Sequence, residues 1–154
     1  MDNTNLPIDI LQIIFSHSNI LLLLCKNVEK LYIKIESKKR ILNIDFKKYI
    51  NLQILILQYN RNISDTELQY LANIEYLDLS RNRNISDIGL QHLTKIRHLV
   101  LSDNEIIHDN GLQYLTNVQH LNLFRNKNIS DIGLQYLKNI ETLKYCIIGG
   151  TYIT

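Results

Sequence analysis

Several residue types are scarce in this chain of 154 residues, and each shortage narrows the classes of protein to consider. Tryptophan is absent, proline and methionine occur once each, and the two cysteines stand far apart at Cys25 and Cys146. A pair so widely separated provides no disulfide framework and is typical of a reducing compartment. We therefore expect an intracellular protein, located in the cytoplasm or the nucleus.

Long apolar runs and an excess of charge are also missing. The longest strongly apolar run, residues 20–25, is far shorter than the ~20 residues that a bilayer-spanning helix needs. The first five residues lack the basic start of a signal peptide. The net charge of +2 is too small to argue for nucleic acid, and the basic first third is best read as a solvated face. We expect neither a membrane nor a nucleic acid as partner.

Leucine is abundant, and it returns at an interval of 22 residues. One series consists of Leu55, Leu77, Leu99, Leu121 and Leu143. Three more series keep the same step: leucines from Leu57 to Leu123, asparagines from Asn60 to Asn126, and aspartates from Asp65 to Asp131. Such self-similarity predicts a stack of like units, and stacked units offer long surfaces for binding.

Each unit combines the pattern of a short strand with that of a short helix. Leu77 and Leu79 alternate with polar neighbours, which is the period of a strand with one buried face. Leu90, Leu93 and Ile96 follow at every third residue, which predicts one apolar stripe of a helix. The unit is therefore predicted to run from a strand through a turn into a helix.

Polar and small residues mark the turn between strand and helix. Ser86 and Asp87 can cap the helix by accepting bonds from its first backbone N–H groups. Gly89 is expected to let the helix lie close to its neighbour. Asn82 is expected to be buried, bonding backbone groups of its own turn and of the next copy. The asparagine column is thus interpreted as a structural device.

Taken together, these positions resemble the leucine-rich repeat family over residues 52–147, and they look most like the subtype found in F-box proteins. The resemblance implies an α/β solenoid with a parallel β-sheet on the concave face and short helices on the convex face. Residues 1–28 are interpreted as an F-box-like or capping helical segment, and residues 29–154 as about five copies of 22 residues with degenerate ends. The register of the first copy stays open, because Ile33 fits opposite either Leu55 or, with a two-residue shift, Leu57.

The amino-terminal segment looks like the opening of an F-box. The residues that carry this resemblance and would face a ligase adaptor are Leu6, Pro7, Ile10, Leu11 and Ile14. The resemblance implies docking onto the adaptor subunit of a cullin-RING ubiquitin ligase, with the repeats holding a protein substrate. Two alternatives stay open: a decayed F-box that now serves as a helical cap, and an unrelated helical cap over a stand-alone repeat scaffold.

Strand positions between the leucines should face the concave surface, and there the copies differ strongly. The predicted partner-binding residues are Tyr76, Asp78, Arg81, His98, Val100, His120, Asn122, Phe124 and Arg125. Exposure alone does not explain their variety, since the outward-facing residues Gln69, Gln91, Gln113 and Gln135 are identical. We predict a monomer that binds a protein on this face, with neutral drift as the alternative explanation.

The sequence gives little support for catalysis or metal binding. There is no Ser/His/Asp arrangement, glycine-rich phosphate loop or paired-carboxylate motif. His98 and His120 should be neighbours on adjacent strands, but a metal site needs further ligands and no spacing supplies them. We therefore expect no enzymatic activity, no cofactor and no metal.

Overall fold

A computed structural model describes residues 10–14, 30–34, 45–48, 52–60, 63–144, 146–148 and 151–153. Within these ranges, seven strands form one parallel sheet in chain order. Strands β1 to β7 are Ile10–Ile14, Lys30–Lys34, Ile54–Ile56, Tyr76–Asp78, His98–Val100, His120–Asn122 and Thr142–Lys144. Consecutive strands are neighbours throughout, so the chain advances by one coil per repeat.

From β2 to β7, short helices lie between the strands, on the side of each coil away from the sheet. A single 3₁₀ turn covers Phe46–Lys48, and helices α1 to α4 are Asp65–Leu68, Asp87–Leu90, Asp109–Leu112 and Asp131–Leu134. Each α-helix is four residues long. No helix in the described part of the chain combines the length and the apolar character that a bilayer crossing requires.

The predicted helical stripe is buried, but it does not form one helix. Helix α2 ends at Leu90, whereas Leu93 and Ile96 lie in the turns that follow. The Leu93 N–H donates to the Leu90 carbonyl at 3.1 Å, and the Ile96 N–H donates to the Leu93 carbonyl at 3.3 Å. A spacing of three residues therefore reflects successive i to i−3 turns, which bring every third side chain to the same side.

Register follows the repeat from β3 to β7. Leu77 lies opposite Leu55 and Leu99, and each later pair is also separated by 22 residues. Between β2 and β3 the step is 24 residues, with Lys30 opposite Ile54. The two-residue shift left open by the sequence is therefore the register that the structure adopts. The predicted α/β solenoid, with its parallel sheet and short helices, is confirmed.

The core is a continuous column of aliphatic side chains between sheet and helices. Its fully buried members include Leu55, Leu57, Leu77, Leu79, Leu99, Leu101, Leu121 and Leu123. Phe46, at the start of the 3₁₀ turn, joins the same cluster. Leu143 is half-buried and packs against the cluster from its last coil.

The prediction of a helical amino-terminal segment is wrong for the part of that segment that the structure describes. Ile10, Leu11 and Ile14, expected on one face of a helix, lie in β1, which pairs in parallel with β2. Three isoleucines among its five residues favour an extended backbone, and β2 supplies the hydrogen-bonding edge. Leu6 and Pro7 lie outside the described residues.

Beyond β7 the solenoid pattern stops. Cys146–Ile148 forms β8 and Thr151–Ile153 forms β9, and the two pair in antiparallel fashion as a separate sheet. The last copy is therefore irregular, as end units of a repeat stack often are.

Candidate functional site

The asparagine column is built into the coils and is not available to a ligand. Asn82 is buried, and its Nδ2 donates to the Asn60 carbonyl at 2.7 Å while its Oδ1 accepts from the Asn84 N–H at 2.8 Å. The Nδ2 of buried Asn126 donates to the Leu101 carbonyl at 2.9 Å. These bonds agree with the prediction that the asparagines have a structural role. The side-chain amides, however, bond the preceding copy, whereas the sequence led us to expect the next one.

The aspartate column has a role that the sequence did not indicate. Ser86 alone caps α2, its Oγ accepting from the Ile88 N–H at 3.3 Å. Asp65 instead accepts from the Ser86 N–H at 2.8 Å and from the Ser86 Oγ at 2.5 Å, so it joins its own coil to the next. Asp109 accepts the same two bonds from Ser130, whereas Asp87 accepts only the backbone N–H of His108, at 2.7 Å. The available signal was the 22-residue step of the aspartates, which serine shares at positions 64, 86 and 130 but not at His108.

On the strands, the side chains between the buried leucines lie on the concave face of the sheet. One row of these side chains is aromatic. Tyr76 and His98 stack with ring centroids 5.8 Å apart, and His98 and His120 stack at 4.1 Å with planes 20° apart. His120 bonds the Thr142 hydroxyl through Nδ1. We call Tyr76, His98 and His120 the aromatic row, and all three are half-buried.

Burial favours the neutral form of the His98 imidazole. Burial lowers the pKa of His98 below the ordinary histidine value, and the adjacent His120 lowers it further when protonated. Glu141 acts in the opposite direction. Among the described residues, no group of three or more histidine, cysteine, aspartate and glutamate side chains is placed to hold a metal ion.

A second row lies where the strands end. Tyr59, Arg81, Asp103 and Arg125 occupy it, and all four have a positive φ between 55° and 62°. This left-handed conformation is uncommon for residues other than glycine, and it turns the chain away from the strand toward the buried asparagine. The Arg81 N–H still donates to the Ser102 carbonyl at 2.8 Å, which anchors the row to the next coil. We call these four residues the edge row.

Charges within the edge row are linked from coil to coil. The Arg81 Nε donates to the Asp103 Oδ2 at 3.0 Å, and its guanidinium lies 4.7 Å from the centroid of the Tyr59 ring, whose hydroxyl it also bonds. The hydrogen bond to Asp103 raises the pKa of Arg81 above its ordinary value. Arg125 Nη1 lies 3.6 Å from the Asp103 Oδ1, and its guanidinium lies 5.0 Å from the Phe124 ring.

Asp78 is the predicted site residue that the structure removes from the surface. It is 5% exposed. Its carboxylate accepts from the Ser80 N–H at 2.9 Å, from the Ser80 Oγ at 2.5 Å and from the Gln58 Nε2 at 2.5 Å. These bonds engage both of its oxygens. Asp78 therefore orients Gln58 and Ser80 and is too buried to contact a partner.

The remaining predicted residues do reach the outer side of the sheet. Tyr76, His98, Val100, His120, Asn122 and Phe124 are half-buried, and Arg81 and Arg125 are exposed. Sequence reasoning omitted Tyr59 and Asp103 from the binding set, although both immediately precede the asparagine column as Arg81 and Arg125 do. The four repeated glutamines of the opposite side are exposed as predicted.

Comparison with known families accounts for the repeat. Two family models match the chain, both described as leucine rich repeat, at residues 50–106 and 114–138. The repeats are leucine-rich repeats. Both models describe the repeats, and neither describes an F-box. No curated protein matches the sequence.

Several solved structures are similar in fold to this chain. Internalin C2 of Listeria monocytogenes superposes with a TM-score of 0.61 at 29% identity, covering 79% of this chain and 53% of its own. The complex of TLR13 with ssRNA13 gives 0.60 at 23% identity, covering 77% and 18%. The Toll–Spatzle complex of Drosophila gives 0.59 at 18% identity, covering 75% and 16%. This leucine-rich repeat chain therefore spans about half or less of these structures.

Proposed function

We propose that this leucine-rich repeat protein is a non-enzymatic scaffold that binds a protein partner on the concave face of its sheet. The observation that carries the proposal is the contrast between the two sides of one solenoid. The copies agree in the core and in the exposed glutamines of the convex side, and they differ where the aromatic row and the edge row lie. A surface that differs from coil to coil can match an irregular partner, which a uniform surface cannot.

The residue types on this face also suit recognition of a protein. Tyrosine and arginine are enriched among the residues that dominate protein–protein binding energies. Here Tyr76 is stacked on His98, and Arg81 is bonded to Asp103, so their side chains have already lost part of their conformational freedom. Ordering side chains on binding costs about 0.5–1.5 kcal/mol each, so a surface ordered in advance binds more tightly.

Capture of a partner by purified variants tests the proposal. Charge reversal at Arg81 or Arg125, or Phe124→Ala, is expected to abolish co-purification of the partner while leaving the circular dichroism spectrum unchanged. Gln91→Ala is the matched control, because that side chain is exposed on the convex side. If capture survives all three concave variants, the concave face is not the binding surface.

A narrower hypothesis connects the scaffold to a cullin-RING ubiquitin ligase. It depends on the F-box resemblance of the amino-terminal segment, and β1 now gives Ile10, Leu11 and Ile14 an extended backbone in place of the helix that docking would use. Its remaining support is in the sequence on either side of β1, at Leu6-Pro7 and at Leu24-Cys25-Lys26, which is similar to a later part of the F-box motif. Binding of the purified ligase adaptor that is lost in Leu6→Asp or Pro7→Ala would support the narrower role. Absence of binding leaves the stand-alone scaffold.

A further inference from the structure

Charge is distributed unevenly across the sheet. Two rows follow the strand ends, and each reads positive, negative, positive along the solenoid: Arg81, Asp103, Arg125, and then Arg83, Glu105, Lys127. Four basic and two acidic side chains leave this edge with an excess of two positive charges. The row before the strands, Glu75, Arg97, Gln119 and Glu141, carries an excess of one negative charge. Over β4 to β7 the sheet therefore has a positive edge where the strands end and a negative edge where they begin.

The acidic residues of the positive edge neutralise only part of its charge. Asp103 is hydrogen-bonded to Arg81 at 3.0 Å, and Glu105 lies 3.7 Å from Arg83. Arg125 is 57% exposed, and its 3.6 Å separation from Asp103 is longer than a hydrogen bond. In the part of the chain that the structure describes, neither Arg125 nor Lys127 donates a hydrogen bond.

Arg125 is both available and held in place. A guanidinium has five N–H donors in a planar fork that matches a carboxylate. The guanidinium of Arg125 lies over the Phe124 ring, 5.0 Å from the ring centroid, and this contact holds it in place. Asp103 shows that the site accepts a carboxylate, because its side chain already lies between the guanidiniums of Arg81 and Arg125. A second carboxylate, from a partner, would meet the donors that Asp103 leaves free.

We infer that the protein partner presents an acidic segment, whose carboxylates bind at the positive edge around Arg125 and compete there with Asp103. This inference rests on the proposed binding of a protein on the concave face. A nucleic acid fits less well, because a phosphate chain that crossed the sheet would meet Glu75 and Glu141 at the negative edge. A short acidic peptide needs only the two or three cations of one edge.

Peptide probes of defined charge test the inference on the full chain. Labelled oligoglutamate, oligoglutamine and oligolysine of equal length, and an oligothymidylate, are titrated with protein at low salt, and fluorescence anisotropy reports binding. Oligoglutamate is expected to bind best, and its affinity should fall as salt is added. Arg125→Gln should weaken oligoglutamate about 5-fold, as expected for loss of one exposed ion pair. Asp103→Asn should strengthen it about 3-fold, because it removes the competing carboxylate.

Two variants on the opposite edge are matched controls for these charge changes. Arg97→Gln removes one cation and Glu75→Gln removes one anion, and both should leave oligoglutamate affinity within about 2-fold. Equal effects of Arg97→Gln and Arg125→Gln would show that net charge alone drives binding and would overturn the inference. Weaker binding in Asp103→Asn would overturn it too.

The other probes separate this inference from the proposed function. Preference for oligothymidylate over oligoglutamate, lost in Arg125→Gln, would replace the acidic peptide with a nucleic acid. Preference for oligolysine, or no oligoglutamate binding at ~1 mM, would overturn the acidic partner but leave the concave scaffold standing. The scaffold itself is judged by capture of the partner, which does not depend on these probes.

Discussion

At the scale of single residues, glycine permits the close approach of neighbouring coils at α2, α3 and α4. The sequence predicted that Gly89 and its counterparts allow a close approach, and this is confirmed. A side chain at Gly89 would meet the Asp65 carboxylate, and one at Gly133 would meet Asp109. Which residue stands opposite could not be predicted, because it lies 24 positions earlier in a different coil and its orientation depends on the stacking itself.

Gly133→Ala is expected to lower the free energy of unfolding by about 1–3 kcal/mol, the usual cost of overpacking. A Cβ at this position would lie 2.9 Å from the Cα of Asp109, and a backbone atom cannot move aside without displacing its coil. Urea denaturation measures the change, with the exposed Gln113→Ala as control, expected within about 0.5 kcal/mol of wild type. Equal stabilities of the two variants would contradict the close approach.

His98 is expected to make stability depend on pH. Burial and then His120 lower its pKa in the folded state, so the unfolded chain binds the proton more readily. The stabilising contribution is complete above the ordinary histidine pKa of about 6.5 and is lost as pH falls from there through the folded-state pKa. NMR titration of the His98 ring should also show a higher pKa in His120→Gln. A His98 pKa at or above the ordinary value in wild type would contradict the stacked arrangement.

At the scale of elements, local pattern was sufficient for the repeated strands and insufficient elsewhere. Leu77 and Leu79 alternate with polar residues, and that period alone places β4. Ile10, Leu11 and Ile14 suit a helix or a strand equally well, and pairing with β2 decides between them. That pairing is a non-local interaction, which the short apolar pattern does not contain. The helices are shorter than predicted, because the turns that follow them also bring every third side chain to the core.

His108→Ser is expected to stabilise the protein by about 0.5–1 kcal/mol. His108 is the N-cap of α3 and makes no side-chain cap bond, whereas Ser130, at the N-cap of α4, accepts from the Ile132 N–H. The new hydroxyl could also donate to Asp87, as the Ser130 hydroxyl donates to Asp109. Thermal unfolding at a pH where histidine is neutral measures the gain, and Ser130→Ala should show a loss of similar size. An unchanged midpoint in His108→Ser would contradict the predicted gain from the cap and from the bond to Asp87.

At the scale of the whole molecule, the repeat pattern was sufficient to predict which side chains lie on the concave face. It was not sufficient to predict how those side chains interact with one another. All of the predicted concave residues except Asp78 lie on the outer side of the sheet. The burial of Asp78 depends on Gln58 and Ser80, which belong to the diversified positions and follow no period. The pairing of Asp103 with two arginines and the opposite charges of the two edges are likewise properties of particular neighbours. A repeat pattern describes what coils share, so these differences become visible only when the coils are stacked.

Site-specific photo-crosslinking tests the concave face most directly. A photoreactive amino acid replaces either Val100, half-buried on β5, or Gln91, exposed on the convex side, and the two proteins are irradiated with their partner present. A face that recognises the partner predicts a discrete crosslinked protein from position 100 and none from position 91. Crosslinking from position 91 alone would contradict it.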